Sequence, residues 1–115
     1  MIRRRPIPKS RYDSLPGKKP PQSLRYELIL DGAVRRYPDG REVCTESKAG
    51  RIEYARRVKV MLQAQGHRCC LCNRALALGN ATFEHHRRRG IGAAFRDDRI
   101  ENGGAAHWSC NVERG

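Results

Sequence analysis

The stretch ATFEHHRRRG, residues 81–90, places a carboxylate and two imidazoles directly before three arginines. Carboxylates bind hard divalent ions, and a histidine can move a proton near neutral pH. Arginines hold phosphate oxygens through charge-assisted, often bidentate hydrogen bonds. The combination therefore predicts a site for phosphate chemistry. Its residues are Glu84, His85, His86, Arg87, Arg88 and Arg89.

Two pairs of soft metal ligands flank this stretch. Cys69 and Cys72 form a Cys-x-x-Cys pair before it, and His107 and Cys110 form a His-x-x-Cys pair after it. Thiolates and imidazole suit tetrahedral zinc better than magnesium or calcium. Because protein side chains would fill all four positions, the spacing predicts a structural zinc ion, with any reacting metal bound elsewhere.

The other two cysteines are not expected to bind metal. Cys70 lies between two ligands and is interpreted as a bystander, and Cys44 is interpreted as a buried or free thiol. A redox function for Cys69 and Cys72 would need a βαβ context, which the surrounding pattern lacks. The odd number of cysteines also argues against a simple disulfide framework.

The composition indicates a small domain with a polyanionic partner. The chain has 115 residues, and 24 Lys and Arg against 12 Asp and Glu give a net charge of +12. Only 38% of the residues are hydrophobic, so a metal ion would help to stabilise a modest core. No apolar run reaches the roughly 18 residues of a membrane span, and none follows the basic N-terminus as in a secretory signal. We therefore expect a cytoplasmic protein without a membrane partner.

The N-terminal third is predicted to be an arm followed by a hairpin. Residues 1–22 hold five of the six prolines and seven Lys or Arg, which is typical of an extended basic arm. Alternating apolar residues predict a β-hairpin over residues 24–44. Asp31 and Gly32 supply its turn, and the Pro-Asp-Gly sequence at residues 38–40 is a second turn signal.

Helical periodicity follows over residues 50–65, and Gly66 is expected to end this packing helix. Basic residues between the apolar positions, Arg57 among them, are expected to face solvent. The zinc-bound core would occupy residues 67–115, so that residues 23–115 form one domain after the arm. The predicted packing face of the helix consists of Ile52, Ala55, Val58 and Leu62.

From residue 58 to residue 115 the chain resembles the HNH nuclease family. The resemblance lies in the ordered set Glu84-His85, Asn102 and Asn111, bracketed by the two zinc-ligand pairs. It implies an α+β fold: a small zinc-stapled ββα-metal domain, here carrying an N-terminal basic arm, a β-hairpin and a packing helix. Small stand-alone proteins of this kind often occur in bacteria and phages, so we expect such an origin.

The resemblance also implies a role for each matching residue. Glu84 would be the first ligand of a catalytic Mg²⁺ or Mn²⁺, and Asn111, at the start of the closing helix, the second. His85 would be the general base, and Asn102 would brace the loop and orient that base. Some family members use a His-His pair, which would make His85 the ligand and His86 the base. We favour the Glu84-His85 register.

The function expected from these roles is metal-dependent hydrolysis of phosphodiester bonds in double-stranded DNA, with the Arg87–Arg89 run holding neighbouring phosphates. One alternative is a zinc-stabilised DNA-binding module without turnover. An RNA-associated zinc protein is a weaker alternative, because few aromatic residues are available for base stacking. The sequence leaves open the DNA sequence preference, nicking against double-strand cleavage, and the oligomeric state.

Two expectations concern the structural surroundings of the site. Asp97 and Asp98 are interpreted as loop-surface residues that precede a helix. The closing helix is expected to start at about Trp108, to contain two turns, and to pack through Trp108 and Val112. A helix this short is marginal alone and depends on such contacts.

Overall fold

The computed structural model describes residues 25–114, which form five β-strands and two α-helices. This composition confirms the α+β class. The predicted arm at residues 1–22, the first residue of the predicted hairpin and Gly115 lie outside the described residues. The elements are β1 (Glu27–Ile29), β2 (Val34–Arg36), β3 (Glu42–Cys44), α1 (Lys48–Ala64), β4 (Ala81–His85), β5 (Gly103–His107) and α2 (Trp108–Arg114).

The region predicted as a hairpin is a three-stranded antiparallel sheet in the order β1-β2-β3. Leu30, Asp31 and Gly32 all take positive φ angles in the first turn, as expected near Asp-Gly. The Pro-Asp-Gly signal makes a second tight turn, in which the Gly40 amide donates to the Tyr37 carbonyl at 2.9 Å. The chain then returns as β3, a strand that the sequence pattern did not reveal.

Helix α1 begins two residues earlier than predicted because Ser47 caps it. The Ser47 hydroxyl accepts a hydrogen bond from the Gly50 amide at 3.1 Å, which satisfies one of the free donors of the first turn. The prediction of the packing face was partly wrong. Val58 and Leu62 are buried, together with Met61, but Ile52 is 60% exposed and Ala55 is exposed as well.

Arg57 is buried, contrary to the expectation that it faces solvent. Its guanidinium donates to Glu53 Oε2 at 2.8 Å, to Glu42 Oε1 at 2.9 Å and to the Asp98 carbonyl at 2.9 Å. These bonds join α1, β3 and the loop before β5. A buried arginine is tolerated here because two carboxylates and a carbonyl satisfy its charge and its donors.

Replacing Arg57 with alanine is expected to cost about 3–5 kcal/mol of the free energy of unfolding, because two acidic groups lose a buried partner. Arg56 is the matched control, since it pairs with the same Glu53 but in solvent. Arg56→Ala should cost less than about 1 kcal/mol. Urea denaturation followed by circular dichroism measures both losses, and equal losses would contradict the structural role given to Arg57.

The main core lies between α1 and the β4-β5 pair. These strands are antiparallel, with Ala81 opposite His107 and His85 opposite Gly103. The ring of Phe83 lies so close to Gly103 that a side chain there would overlap it. Tyr54 of α1 packs against this core and also against the smaller cluster under the three-stranded sheet. The two sheets are thereby held against the same helix.

Helix α2 follows β5 without a linker and starts at Trp108, as predicted. Its predicted packing was wrong, because Trp108 is 67% exposed and Val112 is 55% exposed. The opposite side of the helix, with Cys110 and Asn111, is the side turned inward. Within residues 25–114, no helix is both long enough and apolar enough to cross a membrane.

Candidate functional site

The four predicted soft ligands come together in space. The sulfur atoms of Cys69, Cys72 and Cys110 and a ring nitrogen of His107 lie within 4.8 Å of one another. His107 Nδ1 is 3.4 Å from Cys72 Sγ and 3.7 Å from Cys110 Sγ. Ligand atoms of tetrahedral zinc are about 3.8 Å apart when the metal–sulfur bonds are about 2.3 Å. The group could therefore hold a metal ion, and Cys70 is not part of it.

The surrounding backbone orients these ligands. Cys69 is buried, and its sulfur accepts hydrogen bonds from the amides of Leu71, Cys72 and His107 at 3.3–3.5 Å. His107 Nε2 lies 2.9 Å from the Ala75 carbonyl. A carbonyl only accepts, so Nε2 carries the proton and Nδ1 keeps a lone pair that faces the sulfurs.

The thiols of this group do not ionise equally easily. Burial raises the pKa of Cys69, but the amide donors of Cys72, His107 and Leu71 outweigh it and lower that pKa to about 6. Burial, together with the neighbouring Cys72 and Cys69, raises the pKa of Cys110 to about 11. Three adjacent thiolates therefore repel one another, and a divalent cation is the species that would hold all three ionised.

The acid–histidine stretch forms the end of β4, and its side chains alternate between two faces. The ring of His85 stacks on Phe83 at 4.2 Å between centroids, and Phe83 stacks on Tyr54 of α1 at 5.3 Å. Glu84 points the other way, where Arg114 of α2 contacts it. His85 thus faces α1, and Glu84 faces α2.

On the α1 side, His85 is paired with Asp98. The Nε2 atom of His85 lies 2.8 Å from Asp98 Oδ1. Burial raises the pKa of Asp98, but hydrogen bonds from His85 and Arg96 outweigh it and bring that pKa down to about 2. Asp98 is therefore ionised near neutral pH, and His85 Nε2 must carry the proton that joins them. In neutral His85 the lone pair is then on Nδ1, which has no hydrogen-bond partner among residues 25–114.

On the α2 side, Glu84 is 1% exposed and its carboxylate has two partners. Arg114 lies 2.8 Å from Oε2, and Nδ1 of the exposed His86 lies 2.9 Å from Oε1. The amide nitrogen of Asn111 donates to the Phe83 carbonyl at 3.0 Å and contacts Thr82 Oγ1 at 3.3 Å. Glu84 and Asn111 thus share one side of β4, whereas His85 lies on the other side.

Comparison with known proteins does not identify the chain. No protein-family model, curated protein or solved structure matches it.

Asn102 closes the loop between β4 and β5. Its amide nitrogen donates to the Asp97 carbonyl at 2.8 Å, and its Oδ1 accepts from the Arg87 amide at 3.1 Å. Its own carbonyl accepts from the His86 amide at 2.8 Å. Asn102 thus joins the start of the loop, at His86 and Arg87, to Asp97 near its end. The side chain that orients His85 is that of Asp98 and not that of Asn102.

The side chains of Arg87, Arg88 and Arg89 point in different directions. Arg87 lies over the ring of Phe95, with its guanidinium carbon 4.9 Å from the ring centroid. Arg88 donates to the Arg114 carbonyl at 3.2 Å. Arg89 turns toward Tyr54 and lines a recess beside it. The run therefore does not form one continuous stripe for phosphate binding.

The interpretation of Asp97 and Asp98 as surface residues was wrong, because both are buried. Asp98 Oδ2 accepts from the Cys44 amide at 2.9 Å, and its own amide donates to the Glu42 carbonyl at 2.6 Å. The loop before β5 thus pairs with β3. The sequence did contain a sign that these aspartates are paired. In Arg-Asp-Asp-Arg at residues 96–99, each aspartate has an arginine two residues away, and Arg96 indeed pairs with Asp98.

Proposed function

We propose that this chain is an HNH-type endonuclease that hydrolyses phosphodiester bonds of double-stranded DNA with the help of a divalent ion. The observation that carries the proposal is the 2.8 Å contact between His85 Nε2 and Asp98. An imidazole with a fixed Nε2 proton and a free Nδ1 lone pair is suited to take a proton from water near pH 7. A protein that only binds DNA has no need of such a pair.

The residues that would hold the catalytic ion are Glu84 and Asn111. The Asn111 amide nitrogen is engaged by β4, which leaves its oxygen as the atom available to a ligand. The Glu84 carboxylate is paired with Arg114, a cation that a metal ion would replace. A carboxylate and an amide oxygen are the hard donors that Mg²⁺ and Mn²⁺ prefer. Bound there, Mg²⁺ or Mn²⁺ supplies Lewis-acid stabilisation of the charge on the phosphate.

In this proposal His85 acts on the attacking water. Nδ1 accepts a proton from the water, whose oxygen forms the new bond to phosphorus. The bond from phosphorus to the 3′ oxygen breaks, and that oxygen takes a proton from solvent, so the products carry 5′-phosphate and 3′-hydroxyl ends. The ionised Asp98, held by Arg96 at 2.7 Å, stabilises the imidazolium that forms.

We assign zinc to the Cys69, Cys72, His107 and Cys110 group. Three sulfurs and one nitrogen form a closed, four-coordinate set, so this zinc is structural. It ties the segment before β4 to the junction of β5 and α2, which carries Asn111. In this way zinc holds α2 against the face of β4 that bears Glu84.

Two observations favour the alternative of a DNA-binding module without turnover. The side chain of His85 is only 9% exposed, and Glu84 is already neutralised by Arg114. In that case the net charge of +12 would supply affinity for DNA and nothing would be cleaved. The two functions differ in a single observable, the appearance of product.

The test is cleavage of an end-labelled DNA duplex by the zinc-loaded protein. With Mg²⁺ or Mn²⁺ we expect shorter strands with 5′-phosphate and 3′-hydroxyl ends, identified by their ligation and by their response to phosphatase. In buffer freed of Mg²⁺ and Mn²⁺, with the zinc-loaded protein and no chelator, the strands should stay intact. A mobility shift without cleavage under any metal condition would reject the nuclease and support the binding module.

The basic arm is expected to supply part of the DNA affinity. Deleting residues 1–19 removes seven Lys or Arg and one Asp. Each lost phosphate contact should reduce the slope of log K against log salt by about 0.9 on duplex DNA. Fluorescence anisotropy at several salt concentrations measures the slope. An unchanged slope would show that the arm does not contact DNA.

A further inference from the structure

A recess of about 460 Å³ opens between the end of β3, the start of α1 and the loop after β4. Three arginines line it: Arg51, Arg89 and Arg96. Tyr54 also lines the recess, with its ring stacked on Phe83 and 5.9 Å from the guanidinium carbon of Arg96, and Glu46 is the acidic residue at the edge of the recess. A concave site of this size is in the range that binds small organic ligands.

The three arginines of the recess differ in how many of their guanidinium donors already make hydrogen bonds. Arg96 is committed to Asp98 through three short hydrogen bonds of 2.7–3.0 Å. Arg51 uses one guanidinium nitrogen on the Glu46 carbonyl at 3.0 Å. The Arg89 carbonyl accepts from the Phe95 amide at 2.7 Å, but its guanidinium makes no hydrogen bond or ion pair with residues 25–114. Arg51 and Arg89 therefore have donors left for an anion, and guanidinium groups with such donors match a phosphate.

The recess is also connected to the proposed base. Arg96 contacts Asp98, which holds His85 at 2.8 Å, and Tyr54 stacks on Phe83, which stacks on His85. The recess thus lies on the His85 side of β4 and not on the side of Glu84.

We propose that the recess binds one nucleotide of the DNA strand, with its phosphate on Arg51 and Arg89 and its base against Tyr54. This inference rests on the proposed function and deepens it, because it assigns a strand-positioning subsite that includes the first turns of α1. A nucleotide of a duplex has to leave the base stack to enter the recess, and an arginine pair beside an aromatic ring then offers it the phosphate and base contacts used for single strands.

The test is a titration of the full, zinc-loaded chain with thymidine 5′-monophosphate, followed by NMR shifts of backbone amides. We expect saturable shifts around Tyr54 and Arg51. Arg51→Gln and Arg89→Gln should each weaken binding about tenfold or more, since each removes charged hydrogen bonds to phosphate. Lys59→Gln, which removes one charge from an exposed position on α1, is the matched control and should bind like the parent.

Inorganic phosphate and unphosphorylated thymidine separate the contributions of phosphate and base. Both should bind more weakly than the nucleotide, and phosphate binding equal to nucleotide binding would overturn the assignment of the base to Tyr54. Parent-like binding by both arginine variants, with zinc content and amide spectra intact, would overturn the subsite even if the protein cleaves DNA. Arginine-dependent nucleotide binding by a protein that does not cleave would keep the subsite and reject the nuclease.

Discussion

Replacing His85 with alanine is expected to lower the single-turnover rate of DNA cleavage by about 10²–10⁴, the usual contribution of a general base. DNA affinity and zinc content should stay close to those of the parent, because the side chain of His85 contacts Asp98 and Phe83 and none of the zinc ligands. The rate should fall because alanine lacks the Nδ1 lone pair that would accept the proton of the attacking water. In the parent, Asp98 keeps this lone pair available by holding the proton on Nε2. Quenched-flow or manual sampling with excess protein over labelled duplex measures the rate.

His86→Ala is the matched control for this prediction. His86 is the adjacent residue, carries the same side chain and also contacts a carboxylate, that of Glu84. It is exposed, so its removal should change the rate much less than removal of His85. If His86→Ala abolishes cleavage and His85→Ala is rescued by added Mg²⁺ or Mn²⁺, then His86 is the base and His85 a ligand. If both variants cleave like the parent, neither histidine is the base.

Replacing Cys69 with serine is expected to abolish zinc binding and to unfold the region around β4, β5 and α2. Structural zinc contributes roughly 10–16 kcal/mol of binding free energy in zinc-finger peptides. The net stability of a whole domain is only about 5–15 kcal/mol. The effect should be large at this position because Cys69 is buried and accepts three amide hydrogen bonds. A serine oxygen is also a poorer zinc ligand than a thiolate.

Cys70→Ser is the control, since the adjacent cysteine lies outside the ligand group. It should keep one zinc per chain and a parent-like melting temperature. Metal analysis by mass spectrometry and thermal unfolding by circular dichroism measure both properties, and a chelator should unfold the parent as Cys69→Ser does. Well-folded parent protein without zinc, or Cys69→Ser with unchanged zinc content and melting temperature, would contradict the structural role of the metal.

The ligand group could be predicted from the sequence because its chemistry is local. Each pair of ligands is recognisable from its own two-residue spacing. The only long-range assumption was that the two pairs come together in the fold, and they do. The start of α2 at Trp108 was predicted for a similar reason. Its packing was not, because Trp108 and Val112 are apolar residues one helical turn apart, whereas the inward side of α2 is used by Cys110 and Asn111.

Asp98 and Arg57 show what local patterns miss. Both are charged, and a charged residue in a loop or between apolar helix positions is normally expected to face solvent. Each is buried because residues of other elements supply its partners: His85 and the Cys44 amide for Asp98, and Glu42 for Arg57. Such partners depend on how the loop before β5 folds onto β3, which no spacing rule describes.

The most direct test of the central claim is the conversion of supercoiled plasmid to nicked or linear DNA by the zinc-loaded protein. The parent and His85→Ala are purified identically and assayed in parallel across Mg²⁺ and Mn²⁺ concentrations, so that a contaminating nuclease would act equally in both. We predict metal-dependent conversion by the parent and a rate lower by about 10²–10⁴ for His85→Ala. Plasmid that remains supercoiled with both proteins, although both bind it, would contradict the claim that this chain is a nuclease.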